Sequence, residues 1–179
     1  MDHDEFEWFV HTFGTDIMRF CRMTAGSKES GNELYQDTML KLLEKKQNLS
    51  VTSKTKSYAL SVALLLWKNR KKKYAVRSRI VKINSIEAIT DAGGQIDIAD
   101  KAASPEEIAL QKDEEDTVRR IVAGLPEKYR ILIYLYYSAD MGLDEIAEIT
   151  GIPKGTVKSR MHKARKRLKQ ELEAVGYDR

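Results

Sequence analysis

Apolar residues recur at three- and four-residue steps along most of the chain, and this period predicts α-helices rather than strands. In the first twenty residues the repeat comprises Phe6, Phe9, Val10, Phe13, Ile17 and Phe20. Only three prolines and ten glycines occur in 179 residues, which disfavours a loop-rich protein or a β-sandwich. The pattern therefore predicts an all-α fold.

Two more helices are predicted in the N-terminal part of the chain. The first covers residues 31–46, because Ser30 and Glu33 stand at the spacing of a capping box. Its apolar face comprises Leu34, Thr38 and Leu42, widened by Tyr35, Met39 and Leu43. The next helix covers residues 54–79, begins with apolar residues and ends in a run of cations. This arrangement predicts a rigid cationic segment at the surface.

Residues 143–157 have the spacing of a helix-turn-helix. Ala147 is small where two helices must cross closely, and Gly151 can take the positive φ that the turn needs. Val157 is expected to fill the angle between the helices. The second helix is predicted over residues 154–172. Its core side comprises Val157, Met161, Ala164, Leu168 and Leu172.

The net charge of +4 conceals three blocks of different sign. Bases exceed acids by six in residues 1–80 and by five in residues 118–179, whereas acids exceed bases by seven in residues 81–117. Composition changes near the same borders. We therefore predict two small helical domains and an acidic linker, with the bounds 1–80, 81–104 and 105–179. Two basic blocks favour polyanion binding, although solvated helical surfaces would have the same composition.

Two cationic helix segments are the candidate nucleic-acid contacts. Residues 68–73 hold five cations in six positions, and residues 158–169 hold seven cations and no acid. Cations can bind phosphates, while short polar groups such as Ser159 and His162 can read base edges in a major groove. The candidate DNA-binding residues are Lys154, Thr156, Lys158, Ser159, Arg160, His162, Lys163, Lys166, Lys68, Arg70, Lys71 and Lys72. The alternatives are a solvated amphipathic helix or a protein-binding module.

Composition also excludes several classes of protein. A single cysteine, Cys21, cannot form an internal disulfide and favours a reducing compartment. The three histidines and Cys21 lack zinc-ligand spacing, so no metal site is predicted. No cofactor and no catalytic residue are predicted either. The longest apolar stretch, Tyr58–Trp67, is too short to span a bilayer, and the acidic N-terminus is unlike a secretory signal. A cytoplasmic protein without enzymatic activity is expected.

The segments Leu125–Arg130, Ile131–Tyr137, Asp144–Ala147 and Gly155–Leu168 resemble the fourth conserved domain of bacterial sigma factors. The segment Glu33–Leu40 resembles the polymerase-binding helix of their second domain. With only these two domains and a short linker, the chain is similar to the extracytoplasmic-function group. The resemblance covers about residues 6–79 and 105–173.

The resemblance implies a role for each domain. The helix predicted over residues 31–46 would dock on the clamp of the β′ subunit of core RNA polymerase, through Glu33, Gln36 and Asp37. The helix over residues 54–79 would read and open the −10 promoter element. The helix over residues 154–172 would read the −35 element. The β flap of the polymerase and an anti-sigma factor are further partners that the resemblance implies.

Two other classes remain open at the level of sequence. A helix-turn-helix regulator that forms no holoenzyme would need a ligand-binding or dimerisation domain in residues 1–80, and the cationic helix end argues against it. A serine recombinase also ends in a helix-turn-helix but needs a nucleophilic serine near the start of an α/β domain. The first serine here is Ser27, and the first block has no alternating, strand-like pattern.

Overall fold

The computed structural model describes residues 1–45, 54–82 and 116–176, with the backbone alone for residues 78–82. Within these ranges the regular elements are all helices, which confirms the predicted all-α fold.

The chain divides into two compact units, Met1–Gly94 and Gln95–Arg179. Apart from its first two residues, the predicted linker 81–104 lies outside the described residues. The predicted domain bounds therefore stay predictions.

The described part of the N-terminal unit is a bundle of three helices, each of which packs on the other two. They are α1 (His3–Ala25), α2 (Lys28–Glu44) and α3 (Thr55–Lys82). A capping box begins α1, because Asp2 accepts a hydrogen bond from the Glu5 N–H and Glu5 accepts one from the Asp2 N–H, both at 2.8 Å.

The turn between α1 and α2 differs from the sequence prediction. Gly26 ends α1 in the left-handed region, with φ 77°, and donates its N–H to the Arg22 carbonyl. Ser27 then caps α2 by accepting a hydrogen bond from the Ser30 N–H at 3.2 Å. The predicted capping box of Ser30 and Glu33 is therefore wrong, since Ser30 already lies inside the helix. The earlier serine caps the helix because α1 and α2 are joined by only two residues.

The predicted apolar stripes of α1 and α2 form the core of this unit. Fully buried side chains include Phe9, Ile17 and Phe20 of α1, Leu34, Thr38 and Leu42 of α2, and Ala59 and Ala63 of α3. Leu43, predicted to widen the α2 face, is instead 40% exposed. The Cys21 thiol lies in this core, where burial raises its pKa to about 12 although a hydrogen bond with Thr38 opposes the shift.

A close approach of α1 and α2 requires a glycine at position 31. A Cβ atom there would stand 2.4 Å from the Cα of Arg22. Beside this crossing, Arg22 Nε donates to Asn32 Oδ1 at 2.9 Å. The small residue and the hydrogen bond together fix how the two helices lie against each other.

The C-terminal unit contains four described helices and one π-helical turn. The helices are α4 (helical residues 116–124), α5 (Glu127–Ile133), α6 (Leu143–Thr150) and α7 (Lys154–Ala174), and the π-helical turn is Tyr134–Ser138. Its core contains Leu132, Leu135, Ile146, Val157 and Ala164, each 0–1% exposed. Both α5 and α6 pack against α7, so the core of this unit supports the inner side of α7.

A residue with an unusual backbone conformation follows the π-helical turn. Ala139 donates its N–H to the Tyr134 carbonyl at 3.0 Å, and Met141 donates to the Leu135 carbonyl at 3.0 Å. Between them, Asp140 has φ 54°, which is uncommon for a residue other than glycine. This sharp change of direction leads the chain from α5 into α6.

Candidate nucleic-acid and polymerase interfaces

The helix-turn-helix has the geometry that its sequence predicts. Gly151 takes φ 69° at the end of α6 and donates its N–H to the Ala147 carbonyl at 2.9 Å. Val157 is fully buried between the two helices. Pro153 precedes α7, and its carbonyl accepts the N–H groups of Thr156 and Val157 at 2.8 and 3.0 Å. The turn therefore fixes where α7 begins.

The two sides of α7 differ in burial as predicted for most positions. Val157, Met161 and Ala164 are buried, whereas the predicted core residues Leu168 and Leu172 are only half-buried. The candidate DNA-binding residues on the other side are exposed at Lys154, Lys158, Ser159, His162, Lys163 and Lys166, and half-buried at Thr156 and Arg160. The helix thus presents a continuous polar, cationic face away from its core.

Two of these side chains already interact within the unit. Lys154 Nζ binds Asp144 Oδ2 of α6 at 2.7 Å, with 47% of the lysine side chain exposed. Ser159 Oγ donates to the Thr156 carbonyl one turn earlier at 3.1 Å. The Asp144 carboxylate therefore partly compensates the positive charge of Lys154, which weakens the attraction of this lysine to a DNA phosphate.

Sequence reasoning missed the aromatic contacts that hold α7 from the side. Arg165 Nε donates to Tyr137 Oη at 3.0 Å, and its guanidinium lies 5.1 Å from the Tyr136 ring centroid. Arg167 lies 5.3 Å from the centroid of Tyr129. Two of the seven cations in residues 158–169 thus bind tyrosines of α5 and the π-helical turn. The tyrosines are visible in the sequence, but nothing in their spacing pairs them with these arginines.

The cationic end of α3 is also only partly as predicted. Lys68, Lys71 and Lys72 are exposed. Arg70, in contrast, binds two carboxylates of α2: Nη1 lies 3.0 Å from Glu33 Oε2, and Nη2 lies 2.7 Å from Asp37 Oδ2. A candidate DNA contact and two candidate polymerase contacts are thereby brought together in one ion-paired cluster.

The outer side of α2 is accessible along its length. Glu33, Gln36 and Asp37 are exposed, and Leu40 and Leu43 are 59% and 40% exposed. Exposed leucines beside acidic and amide groups give this side both an apolar and a polar character. Such a mixture is typical of a protein–protein contact surface.

Neither a metal cluster nor a membrane span is found in the part of the chain that the structure describes. No three His, Cys, Asp or Glu side chains of these residues converge where a metal ion could bind. The described helices also lack any stretch long and apolar enough to cross a bilayer.

Comparison with known proteins finds similarity in both sequence and fold. Residues 115–168 match the family described as Sigma-70, region 4. Over 175 residues the chain is 26% identical to the ECF RNA polymerase sigma factor SigW of Bacillus subtilis, covering 96% of this chain and 90% of that protein. The Escherichia coli ECF RNA polymerase sigma-E factor is 30% identical over 94 residues, which cover 52% of this chain and 48% of that protein.

A solved structure has the same fold. It is the sigma factor RpoE of Bartonella quintana in complex with the anti-sigma factor NepR, with a TM-score of 0.70 and 19% identity. The match covers 94% of this chain and 96% of that one. The match therefore supports the helical fold of the described residues.

Proposed function

We propose that the chain is a sigma factor of the extracytoplasmic-function group, which directs RNA polymerase to promoters, and that its two units divide promoter recognition between them. In this proposal α7 reads the −35 element and α3 reads and helps to open the −10 element. The outer side of α2 binds the β′ clamp of core RNA polymerase. The chain contributes binding and positioning and no covalent step.

The cationic face of α7 is the observation that carries the proposal. A helix-turn-helix reads DNA by placing its second helix in the major groove, where short polar side chains reach base edges. Ser159 and His162 are exposed on α7 between the exposed cations Lys158, Lys163 and Lys166. The opposite side is anchored in the core, so the face keeps its orientation when it meets DNA.

The proposal for α2 depends on its exposed acidic and amide groups. Glu33, Gln36 and Asp37 are accessible on a helix whose inner side is fully buried at Leu34 and Thr38. Carboxylates at such a surface form charge-assisted hydrogen bonds with arginine side chains of a partner. The exposed Leu40 adds apolar area to the same side.

Two further parts of the proposal concern partners and location. Because the structural relative from Bartonella quintana is described in complex with an anti-sigma factor, we include an anti-sigma factor among the partners of this chain. The β flap of the polymerase is included as the partner of the C-terminal unit. Promoters and polymerase are cytoplasmic in bacteria, so the chain is expected to act there.

Run-off transcription with purified core polymerase on genomic fragments tests the proposed function. The full chain should yield discrete transcripts from a subset of fragments, and core polymerase alone should not. Lys163→Ala and Lys166→Ala should reduce those transcripts, because each removes a phosphate contact. Lys28→Ala, at an exposed position in the first turn of α2, should leave them unchanged.

Co-sedimentation with core polymerase separates this function from that of a regulator that forms no holoenzyme. A sigma factor should travel with the polymerase in the absence of DNA. Specific DNA binding without any association with the polymerase would favour the regulator and contradict the proposal.

A further inference from the structure

Arg70 connects the two surfaces that the proposed function assigns to different partners. It belongs to the cationic end of α3, yet its guanidinium binds Glu33 at 3.0 Å and Asp37 at 2.7 Å on α2. These two carboxylates belong to the proposed polymerase-binding side. The arginine uses one nitrogen for each carboxylate, so a single side chain occupies both acids at once.

The exposure of the three groups indicates that these ion pairs can be exchanged. The side chains of Glu33 and Asp37 are 66% and 51% exposed, and that of Arg70 is 21% exposed. Ion pairs this open to water change an equilibrium constant by about fivefold at most. A partner arginine that approached the same oxygens could therefore displace Arg70 at little cost.

The spacing of the acids explains why Arg70 is held in the free chain. Glu33 and Asp37 stand four residues apart on α2, where two like charges repel each other. Arg70 relieves this repulsion from the neighbouring helix. While it does so, the acids are less attractive to polymerase cations, and the positive charge of Arg70 is compensated and unavailable to phosphates.

We propose that Arg70 is an internal competitor for the docking carboxylates, and that binding of polymerase arginines to Glu33 and Asp37 releases Arg70 to bind promoter DNA. This inference rests on the proposed function of α2. Polymerase docking frees Arg70 for DNA, and binding of Arg70 to DNA frees Glu33 and Asp37 for the polymerase. Docking and DNA binding therefore favour each other. The free chain binds DNA with the lysines of α3, and the holoenzyme adds Arg70.

The first test measures affinity for core polymerase in the absence of DNA. Arg70→Gln keeps a polar side chain that can donate hydrogen bonds, but it shortens the side chain and removes its charge. It should bind core polymerase roughly two- to fivefold more tightly than the unaltered chain, because the competitor is gone. Lys28→Ala should bind with unaltered affinity. Weaker binding by Arg70→Gln would overturn the proposal, because Arg70 would then orient the carboxylates rather than compete for them.

A second test measures how the affinity of the free chain for duplex DNA depends on salt. Lys72→Ala should reduce the slope of log affinity against log salt by about 1, as expected for a lost phosphate contact. Arg70→Gln should change the slope much less, because its charge is already compensated. In the holoenzyme both variants should reduce the slope. Equal reductions by both variants in the free chain would show that Arg70 already binds phosphate, which overturns the proposal.

Two more variants separate failure of this inference from failure of the proposed function. Glu33→Gln and Asp37→Asn should each weaken binding to core polymerase. If they do, while Arg70→Gln leaves that affinity unchanged, α2 is the docking helix but Arg70 is no competitor. If neither affects binding, the docking surface itself is misassigned. Circular dichroism of each variant checks that α2 and α3 remain folded.

Discussion

A glycine is required at position 31 because α2 crosses α1 there. The space that a Cβ atom would enter is taken by the backbone of Arg22, at 2.4 Å from its Cα and 2.8 Å from its nitrogen. Backbone atoms cannot rotate away as the end of a side chain can. Any larger residue must therefore move one helix relative to the other.

Gly31→Ala should accordingly destabilise the N-terminal unit by about 1–3 kcal/mol or more, measured as the free energy of unfolding in urea. Gly155→Ala is the matched control, because a Cβ atom at this helical position meets no atom within 4 Å. Alanine is the better helix former, so the control should be neutral or slightly stabilising. Equal stability of Gly31→Ala and the unaltered chain would contradict the close helix crossing.

Asp140 is the one described residue other than glycine with positive φ, and it is exposed. Aspartate tolerates this region better than most side chains, whereas a β-branched residue does not. Asp140→Val should therefore lower the free energy of unfolding of the C-terminal unit by about 1–2 kcal/mol. Asp140→Gly should be tolerated without loss. Thermal unfolding of the two variants side by side would reveal the difference, and equal midpoints would refute it.

Burial of Cys21 makes the stability of the N-terminal unit dependent on pH. The folded thiol has a pKa of about 12, whereas an exposed thiol ionises near pH ~8.5. Below ~8.5 both states are protonated and the thiol contributes no pH dependence. Above it only the unfolded state loses its proton, so stability falls as pH rises towards the folded pKa.

Between about pH 8 and 9.5 the unaltered chain should lose ~1 kcal/mol more stability than Cys21→Ala, which lacks the titrating group. Urea midpoints at the two pH values measure the loss. The comparison uses the slope with pH, because removal of a buried side chain lowers stability at every pH. Parallel slopes for the two proteins would show that the thiol is accessible in the folded chain.

At the scale of elements, hydrophobic periodicity was sufficient to predict α1, α3 and the helix-turn-helix, because each has one side buried in a core. It misplaced the start of α2 by three residues, since Ser27 and Ser30 are both suitable caps and only the tight turn at Gly26 selects the first. The π-helical turn was not predicted either. Its apolar residues fit an ordinary helix, and the extra residue in the turn leaves no mark in composition.

The lateral support of α7 leads to a prediction that separates two adjacent cations. Arg165 binds Tyr137 and lies over Tyr136, whereas its neighbour Lys166 is exposed on the proposed DNA-binding face. Arg165→Ala should therefore lower the unfolding free energy of the C-terminal unit by about 1 kcal/mol, whereas Lys166→Ala should not. Lys166→Ala should instead weaken DNA binding at all sequences. If Lys166→Ala lowered stability and Arg165→Ala weakened DNA binding instead, the DNA-binding face of α7 would lie on a different side of the helix.

At the scale of the whole molecule, the candidate site was predicted as two cationic helices and one acidic surface. Most of its residues are exposed, as residues that contact a partner must be. The ion pairs of Arg70 could not be predicted. Glu33 and Asp37 lie 37 and 33 positions before it, and only the packing of α2 on α3 brings the charges together. Lys154 and Asp144 illustrate the same limit across the helix-turn-helix.

The charge pattern along the whole chain predicts weakened DNA binding by the free protein. Residues 81–117 carry a net charge of −7 between two basic blocks, so this segment can compete with DNA for either cationic surface. A full-length variant in which the acids of residues 81–117 are replaced by their amides should then bind −35 DNA more tightly than the unaltered chain, with the difference shrinking as salt is added. Fluorescence anisotropy on both proteins at low salt measures it. Equal affinities would exclude such competition.

The burial of Cys21 also makes the protein convenient for site-specific labelling. The chain has one cysteine, and its thiol is fully buried and stays protonated at neutral pH. Maleimide dyes react with accessible thiolates, so the folded chain should take up almost none. A cysteine introduced at an exposed position, such as Lys28→Cys, would therefore carry the only dye. Energy transfer between such a dye and a labelled polymerase could then follow holoenzyme assembly in real time without first removing the native cysteine.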